Sequence, residues 1–276
     1  MPTSWPIPPE GPLNAGPADR PTRLKITRAR RPADTISQNG RTYVATLLKP
    51  AISPALLRFF APDGVLATVD LASGGYREDT PGAADEPDGA LWQRTEEVVP
   101  ATMAAVMNDT VFEDASLLIN LTAITAVHHA HGHHTRRAAA ADPEPSRGFR
   151  RRAAESHAEL IQYLSRCDAR ILVAPADRDF VIGDTPVAAV GHPPAGVRDP
   201  HYAPPLPEAE TVYFPVHPRF CVQFPARQPG YSDIRAREVD HINLMQITHA
   251  DHEVHFRPDP RTRRFVEEKT KNWQPR

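Results

Sequence analysis

Residues 239–256 read VDHINLMQITHADHEVHF, and the fold turns on how this stretch divides. Set at 100° per residue, Ile242 and Met245 fall to one side of Val239, Leu244 and Ile247 fall to the other, and His241 and Thr248 lie opposite. So wide an apolar arc predicts a helix over 239–250 pressed into a core. Past Asp251 the period changes: His252-Glu253-Val254-His255-Phe256 alternates like a strand, and Pro258 ends it. Asn243 and Gln246 sit near the middle of the apolar arc. A buried amide without partners costs roughly 1–3 kcal/mol, so both must be hydrogen-bonded, to protein or to something bound.

Working back toward the N-terminus, short strands are expected at 170–173, 180–182, 187–190, 211–214 and 220–224. Three helical patterns precede them. The first covers 96–107, with Pro100 in its first turn or kinking it. The second covers 112–131, with the stripe Leu117, Leu121, Ile124 and His128 and a stop at Gly132. The third covers about 147–167, with Phe149, Ala153, His157, Leu160, Ile161 and Leu164 on one face. Earlier still, the Pro62-Asp63-Gly64 turn signal between apolar 56–60 and 65–71 reads as a hairpin, with another turn at Ser73-Gly74-Gly75. Residues 43–48 are extended or helical, 77–90 form a polar loop, and the Pro-rich 192–210 is a long loop. Helices segregated before strands predict an α+β fold: a helical middle segment on a small antiparallel sheet, completed by a C-terminal helix and strand.

The chain is long enough, at 276 residues, for one sizeable core. Residues 1–38 are Pro-rich and poor in large apolar side chains, so they read as a disordered tail. A single domain over 39–260 and a polar C-terminal tail over 261–276 complete the expected organisation. A net charge of −2 gives no bulk attraction to nucleic acid or membrane. There is no bilayer-spanning apolar run and no signal-peptide pattern. Cys167 and Cys221, the only cysteines, suit a reducing compartment, so a cytoplasmic protein is expected.

Four polar stretches bear on chemistry. His128-His129-Ala130-His131-Gly132-His133-His134 pairs His129 with His133 at metal-ligand spacing, but Gly132 interrupts the helix and no acidic ligand lies nearby, so a solvated or helix-C-terminal histidine cluster is expected and no metal or cofactor. His128 and His157 lie on the stripes of adjacent helices; a core histidine with a backbone partner is the default expectation, and the two imidazoles would approach each other if these helices pack antiparallel. In 182–187, IGDTPV, Asp184 either folds back on local backbone as an Asx turn or projects as an acid, base or cation ligand. In 214–220, FPVHPRF, two prolines stiffen a corner holding His217 and Arg219; Arg219 suits a bidentate pair with a carboxylate or phosphate, or a salt bridge to an acid such as Asp184. There is no phosphate-cradling glycine loop, G-x-S-x-G, H-E-x-x-H or nucleotide fingerprint.

In order and spacing, three of these segments resemble the C-terminal half of the domain-of-unknown-function 4238 family. The residues that carry the resemblance are Asp184, Pro186 and Val187; Phe214, Pro215, Pro218 and Arg219; and Asn243, Gln246, Ala250, Asp251 and Val254, within about 170–257. The family usually opens with His-x-Val-Pro before a Leu-Leu-Arg-like run. Here Thr42-Tyr43-Val44-Ala45 precedes Thr46-Leu47-Leu48-Lys49-Pro50, with that histidine and proline absent. The resemblance carries no general activity with it.

A binding or regulatory protein is therefore expected, its polar pocket lined by Asp184, Arg219 and Asn243. The alternative is a hydrolase, acting on phosphodiesters, with Asp184 as base or cation ligand, Arg219 as anion clamp and Asn243 as orienting donor. A purely structural polar network is the third reading. No membrane partner is expected, and a nucleic-acid partner stays open without support from the net charge of −2.

Overall fold

The computed structural model describes residues 35–38, 41–44, 52–80, 90–132, 135–136, 145–191, 204 and 208–271. The expectations for 1–34, for 45–51 and for most of the Pro-rich loop lie outside the described residues. The chain divides into two compact units, 1–47 and 48–276. The first contains an antiparallel pair, β1 (Thr35–Gln38) with β2 (Arg41–Val44). The end of the expected tail is thus a strand, and 43–44 are extended.

The second unit opens with a helix, α1 (Pro54–Phe60), where the sequence suggests a strand of a hairpin. The reason is local. Ser53 accepts from Leu56 N at 3.0 Å as N-cap, and Pro54 needs no hydrogen-bond acceptor at the first helical position. Leu56, Leu57 and Phe60 then fall on one buried face. The true hairpin follows: β3 (Leu66–Asp70) pairs antiparallel with β4 (Tyr76–Asp79), which takes up the start of the expected polar loop. Its turn has Gly74 at φ +66°, and Asp70 accepts from Ala72 N and Ser73 N.

Three helices come next: α2 (Ala90–Met107), α3 (Ala115–Ala130) and α4 (Pro145–Leu164). Pro100 lies inside α2, which starts well before the position expected from sequence. Asp114 caps α3 by accepting from Ser116 N at 2.7 Å. The middle helix α3 packs against both α2 and α4, which explains why Leu121, Ile124, Ala126, Val127 and Ala130 are all buried.

The remaining strands build two sheets. β5 (Arg170–Val173), β7 (Ala188–Val190), β8 (Thr211–His217), β9 (Phe220–Phe224) and β10 (Gly230–Asp233) form one in the order β10-β5-β9-β8-β7, antiparallel except for the β10/β5 pair. The other, β4-β3-β11-β6, is antiparallel throughout and takes in β6 (Ile182–Gly183) and β11 (Glu253–Phe256). Between β10 and β11 runs α5 (Ala236–His249), the helix expected over 239–250. A last helix, α6 (Pro260–Thr270), lies in the segment read as a polar tail; Asp259 caps it, with Pro260 at its first position. Among the described residues this is an α+β fold with two sheets in the second unit rather than one.

α5 organises the C-terminal half. Val239 and Ile242 on its first turns join Leu172 and Cys221 of the five-stranded sheet and Phe180 of the segment before β6, while Ile247 and Ala250 at its end join Ala67, Val69, Val254 and Phe256 of the four-stranded sheet. Between these contacts the chain 179–186 runs along the helix. The strand expected at 180–182 begins only at Ile182, because Phe180 N donates to Pro218 O and Val181 N to the Asn243 side chain instead of to a ladder. Contact is closest at Gly183, where an added Cβ would lie 2.8 Å from the Gln246 carbonyl oxygen and 3.0 Å from Ala250 Cβ. Gly183→Ala should therefore lower stability by about 2 kcal/mol, since a backbone oxygen in a packed helix cannot move aside; an unchanged urea midpoint would show that the helix shifts freely.

Candidate functional site

The three residues singled out in the sequence all engage backbone. Asn243, 3% exposed, donates through Nδ2 to Asp179 O at 2.8 Å and accepts at Oδ1 from Val181 N at 2.9 Å. One turn on, Gln246 donates to Pro186 O at 3.0 Å and accepts from Gly183 N at 3.1 Å. The two amides on the apolar face are thus bonded through both nitrogen and oxygen, and they hold 179–186 against α5.

Asp184, 5% exposed, accepts at Oδ1 from Asp251 N at 2.7 Å and at Oδ2 from His252 N at 2.8 Å and Glu253 N at 3.1 Å. Its carboxylate closes the turn between α5 and β11. The adjoining Asp251 carboxylate forms a buried ion pair with Arg136, which also donates to Thr185 Oγ1 at 3.0 Å. Burial and then the Asp251 charge push the Asp184 pKa up to about 6.

Arg219 occupies the β8–β9 turn. Its Nη2 donates to Ala174 O, and its backbone N donates to His217 Nδ1 at 3.0 Å. It does not pair with Asp184, the salt bridge suggested by the sequence. The acid beside it is Asp179, 4% exposed, a residue no sequence motif marks. Arg257, from the end of β11, grips Asp179 Oδ2 through Nε at 2.8 Å and Nη2 at 2.7 Å. The structure thus brings Arg219 and, through the Asp179 carbonyl, Asn243 to one locus, and leaves Asp184 to the helix–strand turn.

At this locus the bonding is incomplete. Asp179 Oδ1 and Arg219 Nε are buried without a hydrogen-bond partner among the described residues. Desolvation by burial raises the pKa of the Asp179 carboxyl, with Arg257 pulling the other way. His217 is held down at about 4, first by burial and then by the Arg257 and Arg219 charges, so it is neutral near pH 7. Because its Nδ1 accepts a backbone N–H, its proton sits on Nε2, which can donate. Two guanidinium groups, one imidazole N–H and one carboxylate leave a single positive charge in excess. The Arg257 side chain is 38% exposed, so the locus is reached from solvent. Such a set can hold an oxyanion or a hydroxyl group.

A half-open cleft of about 520 Å³ lies elsewhere, between α5 and the five-stranded sheet. Its floor is the cross-strand row Tyr213–Gln223–Arg170, and none of Asp184, Arg219 and Asn243 lines it. Of the histidine-rich stretch, His128 and His131 turn inward at the C-terminal end of α3, so the cluster is helix-terminal but His128 is buried and not solvated, while 133 and 134 lie outside the described residues. Among the described residues no group of three or more His, Cys, Asp or Glu side chains is arranged to hold a metal ion. No described helix is long and apolar enough to cross a membrane.

Compared with known families, the chain matches the model for DUF4238, protein of unknown function, over residues 106–260, more than half its length. No curated protein and no solved structure matches it.

Proposed function

We propose a ligand-binding role for this chain, which belongs to the DUF4238 family of proteins of unknown function. The ligand carries an anionic group, a carboxylate or phosphate, and that group docks between Arg219, Arg257 and His217. The observation that carries this reading is the unpaired buried Nε of Arg219 beside an acid that uses only one of its two oxygens. A second guanidinium and the Nε2–H of a neutral His217 supply further donors, and the carboxylate of Asp179 holds Arg257 in register. In this reading Asn243 and Asp184 are positioning residues: the first fixes the backbone of Asp179, and the second fixes the turn that leads into β11 and Arg257. Hydrolysis of a phosphodiester, the other reading, needs Asp184 as a base. Its oxygens already accept three backbone N–H groups, which favours binding over that chemistry. Two free cysteines, Cys167 and the buried Cys221, accord with a reducing, cytoplasmic setting.

Inorganic phosphate is a sufficient probe. Phosphate at about ten times its dissociation constant should add about 1.4 kcal/mol to the unfolding free energy relative to chloride at matched ionic strength. Arg257→Lys, which keeps the charge but loses the planar fork, should weaken phosphate about tenfold. Identical melting in phosphate and chloride would defeat the proposal.

A further inference from the structure

A second set of unpaired polar atoms lies among the helices, independent of the anion locus. Trp92 Nε1, Glu96 Oε1 and His157 Nε2 are buried without a hydrogen-bond partner among the described residues. Trp92 is 2% exposed, so its N–H cannot be turned to solvent, and a buried donor left unmade costs about 1–3 kcal/mol.

Ring contacts tie Trp92 on α2 to α3 and, through α3, to α4. Trp92 and Glu96 stand one turn apart on α2, on the same face. The Trp92 ring lies 5.2 Å from the His128 ring and 5.0 Å, edge-on, from that of His131. His131 in turn meets Phe149 of α4 at 5.4 Å, and the pKa of His157 on the same helix is lowered first by burial and then by the His131 charge. Glu96 Oε2 accepts from Ala55 N at 3.0 Å and His128 Nε2 accepts from Ser53 N at 3.2 Å, so both side chains meet the start of α1.

The donor and acceptor inventory restricts what fits. His128 uses both nitrogens, its Nδ1 donating to Ile124 O at 2.7 Å. His131 Nδ1 donates to Val127 O at 2.8 Å, which leaves its Nε2 an acceptor. Glu96 has no cationic partner among the described residues. Burial holds His128 near 4 and lowers His131 and His157, so the imidazoles add no positive charge at neutral pH. The cluster therefore offers a carboxylate oxygen, an imidazole lone pair and aromatic faces, with the indole N–H of Trp92 as its fixed donor and His157 Nε2 as donor or acceptor according to tautomer.

We propose that this cluster binds a small organic cation that also carries an acceptor oxygen, a protonated amino alcohol or amino amide being the simplest form. The protonated nitrogen pairs with Glu96 and rests on the Trp92 and His131 rings, and the oxygen accepts from Trp92 Nε1.

Ethanolamine tests this directly. In a background with Trp5→Phe and Trp273→Phe, Trp92 is the only indole, and its emission reports the cluster. Ethanolamine should change that emission saturably, while neutral acetamide should not at the same concentrations. Glu96→Gln keeps an acceptor for Ala55 N and should weaken ethanolamine at least about tenfold. The proposal is overturned if ethanolamine gives no saturable change, if acetamide binds equally well, or if Glu96→Gln leaves the affinity unchanged. The comparison of ethanolamine with acetamide needs no Glu96 variant, so a misfolded variant does not rescue the idea. Neither probe is an anion, so this outcome is separate from that with phosphate.

Discussion

Replacing Asp184 by Ala should lower the unfolding free energy by about 3 kcal/mol, the largest effect expected of any single polar substitution in this protein. Three backbone N–H groups, of Asp251, His252 and Glu253, lose their acceptor inside the fold. Bonds to a charged acceptor contribute about 1.5 kcal/mol each, or about 4.5 kcal/mol together. Relief of repulsion from the Asp251 carboxylate returns part of that. Asp184→Asn keeps one acceptor oxygen but turns an NH2 toward donors, so it should cost about 2 kcal/mol. Urea midpoints of the two variants check both values. A residue that served only turnover would leave the midpoints where they are, and that result would reverse the assignment of Asp184 to the turn.

Acid should destabilise the fold well before the exposed carboxylates titrate. His128 and His255 are both buried, and burial depresses each from 6.5 to about 4. A depressed histidine contributes stability that is complete above its unfolded value and is lost as pH falls through the folded one. A tenfold change in proton affinity corresponds to about 1.4 kcal/mol, so each histidine removes about 3 kcal/mol between pH 6.5 and 4. Asp184 works the other way. Raised from 3.8 to about 6, it contributes stability below 3.8 that is lost as pH rises through about 6, so acidification returns about 3 kcal/mol. Two histidines outweigh one aspartate, and the net expectation is a loss of about 3 kcal/mol from about pH 7 to about pH 4. Burial lowers His131, His157 and His217 too, which adds in the same direction. The test is the urea midpoint against pH. A flat or rising profile on acidification would mean that the buried imidazoles bind protons in place. His255→Asn, which can still reach Thr68 Oγ1, should make the slope shallower by one histidine's share.

What can be read in advance follows the range of the forces involved. Periodicity is local, and it locates α3, α4, α5 and β11 to within a few residues. The same holds for the requirement that Asn243 and Gln246 be bonded, because a polar group on an apolar stripe announces a partner. The partner itself depends on tertiary packing, and nothing in 239–256 names Asp179, Val181, Gly183 or Pro186 as the backbone that answers. Helix α1 hides behind Pro62-Asp63-Gly64, a strong turn signal, although Ser53-Pro54 followed by apolar 56, 57 and 60 carries a helix start. Asp179 and Arg257 escape a sequence reading for a different reason. Asp179 ends the charged run Asp177-Arg178-Asp179, Arg257 follows a strand, neither belongs to a motif, and only the fold brings them beside Arg219. The anion locus is therefore half legible, through the stiff FPVHPRF corner, and the helical cluster of Trp92, Glu96 and His157 is legible only as separate positions.

The two amides of α5 have a consequence for how this protein comes apart. In most sheets a strand's N–H groups answer to neighbouring strands, so a sheet can outlive a helix that peels from it. Val181 and Gly183 answer to side chains on a helix. Once α5 lifts away, these amides lose their acceptors at the same moment, and β6 loses its backing. Helix and strand segment therefore form one opening unit, with a shared protection against solvent exchange, although a long stretch of chain separates them.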